Sequence, residues 1–251
     1  MEESFVVAID GPAGAGKSTA ARLLADQLGF EFLDTGAMYR CVTLAAIRSD
    51  INVEDWEAVD RLASRLDFRV ERNTARIAGE NVTDAIRSLD VSAAIGKIAD
   101  NPLIRKRLSQ MQRDWAVGKC VVSEGRDQGS VVFEDSRCKI FLTASDSERA
   151  RRRCEELAAR GVTIAVEEVL AQQSLRDRED RQRVVGGLRK APDAVLLITD
   201  GLSLIEVVQR MSEIVHSKLF TSSAEQDSSP GNNRDAKLQK QPSSEAMKTQ
   251  P

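Results

Sequence analysis

Gly11-Pro12-Ala13-Gly14-Ala15-Gly16-Lys17-Ser18 fits the pattern G-x-x-x-x-G-K-[ST] at every position. Three glycines let a backbone curl until successive N–H groups point inward at phosphate oxygens, and a helix that follows adds the positive end of its dipole. In this pattern the lysine reaches the β- and γ-phosphates and the hydroxyl of Ser18 takes a coordination place on Mg²⁺. Thr19 extends the stretch expected to contact the nucleotide. ATP or GTP binding is the firmest chemical reading; the alternative is a glycine-rich turn that binds nothing.

Three further segments carry arginines. They are Asp34-Thr35-Gly36-Ala37-Met38-Tyr39-Arg40, Glu124-Gly125-Arg126-Asp127, and the run Arg176, Arg178, Arg181 and Arg183, interleaved with Asp177, Glu179 and Asp180. Phosphoryl transfer between two nucleotides gathers several negative charges, and the arginine fork grips phosphate oxygens bidentately. One such residue at the transferring group is worth roughly 10³ to 10⁵ in rate. Taken singly, each arginine could be a surface ion pair, and the last run could be a solvated helix face. Three arginine segments beside one phosphate loop argue for a site.

Positioning these residues requires an α/β sheet. Short apolar runs bounded by turn residues predict strands at Phe5 to Ile9, Glu31 to Leu33, Cys120 to Ser123, Lys139 to Leu142 and Val195 to Ile198. Between them lie helical patterns: the stripe Ala20, Leu23, Leu24, Leu28; a charged surface helix from Ser147 to Arg160; and Leu204, Ile205, Val207, Val208, Met211, Ile214 and Val215 in a closing helix. The alternation predicts a doubly wound parallel sheet, whose ligands bind beyond the carboxyl ends of the strands. Two stretches interrupt it. One, from about Asp50 to Asp100, holds Phe68, Val70, Ala75, Ile77 and Val82 alternating around a turn at Asn73, a pattern for a small β-containing subdomain; the other, from Arg149 to Arg189, holds ten arginines and includes the third segment. After Phe220 serine, proline, asparagine and glutamine dominate, which predicts disorder over 221–251, with Leu238 and Met247 as candidates for a short partner motif.

Composition narrows the function. A chain of 251 residues, 41% hydrophobic, can bury a sizeable core, and a net charge of −3 gives no basic field for nucleic acid. Cys41, Cys120, Cys138 and Cys154 form no CxxC pair and are joined by one histidine, His216, which argues against structural zinc and histidine catalysis. The early apolar run, Phe5 to Ile9, is too short for a signal or membrane segment, so the expected setting is soluble, reducing and cytoplasmic. There is no N-K-x-D run to read guanine and no strand ending in the D-x-x-G switch, which counts against a GTPase.

The segments IDGPAGAGKST, LDTGAMYR, EGRDQGSVVF and RDREDRQR, in that order, resemble the bacterial cytidylate kinases from about Phe5 to Leu219. The resemblance implies a P-loop fold with a five-stranded parallel sheet and helices on both faces. The core would comprise residues 1–50 and 101–220, with a nucleoside-monophosphate-binding insert over 51–100 and a helical lid within 161–190. It implies ATP with Mg²⁺ as donor complex and CMP or dCMP as acceptor; charge and the short apolar run set the expectation of no nucleic-acid or membrane partner, and a monomer is the default. Lys17, Arg40, Arg126 and Arg183 would act on the reacting phosphates. Thr35, Arg105 and Asp127 would lie near cytosine, and Arg176 and Asp180 on the sugar side. A carboxylate at the base suits cytosine, which offers an N4 amino donor where uracil offers an oxygen; the competing use of Asp127 is an ion pair with Arg126.

Departures from the family pattern are Gly96, where many members carry serine; Gly186 and Gly187, where alanine-proline is frequent; and Gln128 and Ser130, where an aliphatic residue and threonine are usual. Gly96 leaves the preference between CMP and dCMP open. Rival readings are a kinase of this fold acting on UMP or another small metabolite, and a silent P-loop module whose arginines serve a protein or RNA partner.

Overall fold

The computed structural model describes residues 4–226 apart from 73 and 160. Strands β1 (Phe5–Asp10), β2 (Glu31–Asp34), β6 (Cys120–Gly125), β7 (Cys138–Thr143) and β8 (Val195–Ile198) form one sheet in the order β2-β6-β1-β7-β8, with every pair parallel. All five lie where apolar runs predicted them, extended by up to two residues. The runs are continuous rather than alternating because both faces are covered. On one face Val7, Ile9, Ile140 and Leu142 pack with Leu24 of α1 (Lys17–Leu28) and with Met211 and Val215 of α8 (Leu204–Gln226). On the other, Leu33 and Val121 pack with Val42 of α2 (Thr35–Arg48) and with Ile104 and Leu108 of α5 (Pro102–Ala116).

Helix boundaries follow local chemistry. The Asp34 carboxylate caps α2 by accepting from Ala37 N at 2.8 Å, and Asn101 caps α5 ahead of Pro102. Two periodic stripes are narrower than predicted: Leu23 is 41% exposed and Ile205 79% exposed. Each lies off the face its helix turns to the sheet.

The stretch between α2 and α5 carries a small sheet of its own. Helix α3 (Trp56–Ala63) leads into a three-stranded antiparallel sheet, β3 (Phe68–Glu71), β4 (Thr74–Ile77) and β5 (Glu80–Asn81), with Phe68 opposite Ile77 and Val70 opposite Ala75. The predicted turn residue Asn73 lies outside the described residues. Helix α4 (Leu89–Asp100) closes the insert, and Ala75, Val82, Ile86 and Val91 bury against Cys41 and Leu44 of α2. The insert therefore shares its core with the first helix after β2.

After β7 come α6 (Asp146–Ala159) and α7 (Val166–Gln182). The segment read as a solvated helix holds a fully buried side chain, Arg149. Helix α8 continues to Gln226 rather than giving way at 221, which corrects the expected start of the tail; 227–251, including Leu238 and Met247, lie outside the described residues. No helix among the described residues is long and apolar enough to cross a membrane.

Candidate active site

The phosphate loop joins β1 to α1. At Gly11 a Cβ would lie 1.9 Å from the Leu142 carbonyl oxygen, so the loop starts where only glycine fits. Gly14 and Gly16 take positive φ angles of 76° and 84°, and α1 begins at Lys17. Ala15 is buried, while the Pro12 carbonyl accepts from Lys17 Nζ at 2.8 Å and the Ala13 carbonyl from Arg149 Nη1 at 2.8 Å. Burial first and the neighbouring Arg126 second push the Lys17 ammonium down to about 7, against the opposite pull of Glu124 and Asp10. Phosphate oxygens beside it would restore its charge.

Ser18 Oγ donates to Glu124 Oε1 at 2.8 Å. Burial, then the nearby Asp34 carboxylate, raises the Glu124 pKa. A hydroxyl beside two buried carboxylates is a hard oxygen set of the kind Mg²⁺ prefers, and a divalent cation would relieve their repulsion. No group of three His, Cys, Asp or Glu side chains among the described residues could hold a metal, so an ion here would draw further ligands from nucleotide phosphates and water. Thr19 is exposed beside Ser18.

The predicted arginines converge on this end of the sheet. Arg40 reaches out of α2 to the Ile86 carbonyl at 3.0 Å and Ser92 Oγ at 3.1 Å. Burial, followed by the like charges of Arg176 and Arg87, pushes its pKa down to about 10. Arg40 thus lies within electrostatic reach of two further arginines. Arg126, at the end of β6, donates through Nε to Asp180 Oδ2 at 2.8 Å. Arg183, just past α7, donates to Asp180 Oδ1 at 3.1 Å and to Asp100 Oδ1 at 2.7 Å. Asp180 thus serves two arginines. Arg176 is exposed on α7, within electrostatic reach of Arg126, Asp180 and Arg153. Its electrostatic neighbours are those of the Asp180 cluster.

A second pair, buried, joins α5 to the segment after β6. Arg105 Nη2 meets Asp127 Oδ2 at 2.5 Å, with both side chains buried. The alternative partnership of Asp127 with Arg126 is not formed. Arg105 also donates to the Ala99 carbonyl at 3.1 Å and lies 5.8 Å from the centre of the Tyr39 ring. From the segment after α7, the Gly186 carbonyl accepts from Arg105 Nη2 at 3.2 Å. Gly186 has φ 66°, and a Cβ there would lie 1.7 Å from Arg105 Nη2. Only glycine lets the chain come so close. Thr35, expected near the base, donates its hydroxyl to the Glu124 carbonyl at 2.7 Å and so ties the start of α2 to β6.

A family model described as cytidylate kinase matches residues 7–217. The chain belongs to the cytidylate kinase family. It is 46% identical over 225 residues to a cytidylate kinase from Rhodopirellula baltica, covering 90% of this chain and 98% of the relative. The corresponding enzyme from Carboxydothermus hydrogenoformans is 44% identical over 216 residues, with 84% and 97% covered. A bifunctional pantoate ligase/cytidylate kinase from Prochlorococcus marinus is 43% identical over 220 residues, covering 85% of this chain and 44% of the relative.

Within this cytidylate kinase framework, sequence reasoning passed over several buried polar groups. Arg149 donates to Asp146 Oδ1 at 2.6 Å and to Asp177 Oδ2 at 2.7 Å besides the Ala13 carbonyl, clamping α6 and α7 to the phosphate loop. Gln173 of α7 adds a bond to the Arg149 carbonyl at 3.2 Å. Asp10 holds two backbone N–H groups of the Asp127 segment. The signal for Asp10 was present: a charged residue ending an otherwise apolar buried strand needs a partner. Arg149 gave none, since its neighbours in sequence are solvated arginines.

Proposed function

We propose that this chain transfers the γ-phosphoryl group of ATP to CMP or dCMP, giving CDP or dCDP and ADP. The observation that carries the reading is the Arg105–Asp127 pair, which shares one sheet end with Lys17 and the arginines around Asp180. Asp127 attracts the N4 amino group of cytosine and repels O4 of uracil, a discrimination worth about 1–3 kcal/mol. Arg105 offers N–H donors to the ring acceptors.

Residues 11–19 bind ATP, with Lys17 on the β- and γ-phosphates. Mg²⁺ bound with ATP neutralises phosphate charge, and Ser18 would hold it with Glu124 and Asp34 behind. Arg40, Arg126 and Arg183 take the acceptor and transferring phosphates, while Thr35, Arg176 and Asp180 complete the acceptor site. An oxygen of the CMP phosphate bonds to the γ-phosphorus as the bond to the β–γ bridging oxygen breaks, and ADP leaves. The acceptor is already an anion, so no general base is needed; orientation and charge stabilisation carry the rate. The core comprises 1–50 and 101–220, the insert 51–100 frames the acceptor, and a lid within 161–190 excludes water when shut. The enzyme works as a monomer in the cytoplasm without a nucleic-acid partner.

The test is coupled ADP release from ATP and Mg²⁺ with CMP, dCMP, UMP or AMP as acceptor. Strong turnover with CMP and dCMP is expected. ATP binding without transfer to any of the four would move the activity to another acceptor or to a binding module.

A further inference from the structure

Asp127 occupies the N-cap of the short π-turn Gln128–Val132, yet makes no side-chain cap bond. An aspartate at such a position ordinarily folds its carboxylate onto the backbone N–H groups that open the turn. Here the Gly129 N–H, one of the groups such a cap would hold, is bound by a carboxylate of another element, as is the N–H of Gln128 before it. Gln128 N donates to Asp10 Oδ1 at 2.7 Å and Gly129 N to Asp10 Oδ2 at 2.8 Å, so each oxygen of one buried carboxylate holds one N–H. The cap is closely packed: a Cβ on Gly129 would lie 3.2 Å from the Lys139 side chain and 3.4 Å from Asp10 Oδ2. The turn is pinned from β6 as well, through Ser123 Oγ donating to Gln128 Oε1 at 2.7 Å.

We infer that Asp10 is a positioning residue for acceptor-base recognition: by capping the 128–132 turn from the end of β1, it leaves the Asp127 carboxylate free to face Arg105 and the base. The inference rests on the reading of Asp127 as the group that meets cytosine. Asp10 is also the residue directly before Gly11, so one strand end anchors the phosphate loop and the base-reading turn together. Without Asp10 the freed N–H groups compete with Arg105 for the Asp127 carboxylate. Asparagine in its place offers one acceptor oxygen and an NH₂ group that confronts an N–H.

Steady-state kinetics of the full chain with ATP and Mg²⁺ test this. Asp10→Asn should raise KM for CMP about tenfold or more and lower the preference for CMP over UMP, while KM for ATP stays within about twofold. Because Asp10 acts through Asp127, the double variant D10N/D127N should be no worse with CMP than D127N alone. An unchanged CMP-to-UMP ratio beside a lower melting temperature or a raised KM for ATP would overturn the inference in favour of a purely structural or phosphate-loop role, as would additive penalties in the double variant. If D127N by itself keeps the wild-type ratio, the assignment of Asp127 to the base is what fails. Asp10→Ser, which keeps one acceptor in a smaller volume, carries the same comparison if D10N does not fold.

Discussion

Arg126 Nε donates to Asp180 Oδ2 at 2.8 Å, joining the arginine at the end of β6 to the last turn of α7. The second oxygen of Asp180 holds Arg183, so one carboxylate, kept ionised by Arg126 and Arg183 in spite of its burial, spaces two cations. Asp180→Asn removes that balancing charge and leaves the guanidinium groups to repel each other. We expect kcat/KM for CMP to fall about 100-fold, or about 2.7 kcal/mol. A drop of less than about threefold would exclude Asp180 from the site.

Lys17 gives a pH-dependent signature. Its folded-state pKa, near 7, lies below the ordinary value of 10.5, so between those limits the folded chain holds fewer protons than the unfolded one and stability rises with pH. ATP phosphates beside Nζ reverse the shift. At pH 8, ATP binding should take up protons, seen as a binding enthalpy that varies with the ionisation enthalpy of the buffer. Lys17→Ala should lose both this uptake and phosphoryl transfer while keeping its circular dichroism spectrum.

Asp10 titrates in the opposite sense. Burial first raises its pKa from 3.8 to about 6, so the folded chain binds the proton more tightly and the stability associated with this group falls as pH rises from about 4 to about 6. The full effect is about 3 kcal/mol. In D10N the melting temperature should decline less across that interval than in the wild type; parallel curves would contradict the shift.

Gly186→Ala places a methyl on the Arg105 guanidinium and forces a side chain to φ 66°. The backbone strain alone costs about 1 kcal/mol. The segment around Gly186 must withdraw from Arg105, raising KM for CMP about tenfold with little change in KM for ATP. Equal effects on both nucleotides would place the defect elsewhere.

Gly96 stands on α4 one turn after Ser92, which meets Arg40, and one turn before Asp100, which meets Arg183. A Cβ there meets nothing within 4 Å. Gly96→Ser therefore adds a hydroxyl to this wall of α4, the face that carries Ser92 and Asp100, at no steric cost and removes about 0.5 kcal/mol of helix penalty. The ratio of kcat/KM for CMP to that for dCMP should rise about threefold or more, since only CMP carries a 2′-hydroxyl; an unchanged ratio would show that this wall does not touch the sugar.

Much of this protein was legible in its sequence because the relevant physics is local. Gly11 to Ser18 encode a backbone shape in their own φ angles, and apolar runs such as Phe5 to Ile9 have few ways to be buried on both faces. The arginine segments announced themselves by charge, and two of them by their place after strands. What the sequence left open were pairings between distant positions. Asp127 chose Arg105, 22 residues earlier, over its neighbour Arg126; Arg149, amid solvated arginines, turned inward to the Ala13 carbonyl; and Asp10 met Gln128 and Gly129 across more than a hundred residues. Those choices depend on strand order and register: β6 lies beside β1 with Asp10 opposite Gly125, which carries the turn after β6 to the Asp10 carboxylate. Local sequence specified which groups could do chemistry, while the sheet, by deciding which strand ends are neighbours, selected their partners, because a buried charge bonds to whatever packing places within about 3 Å.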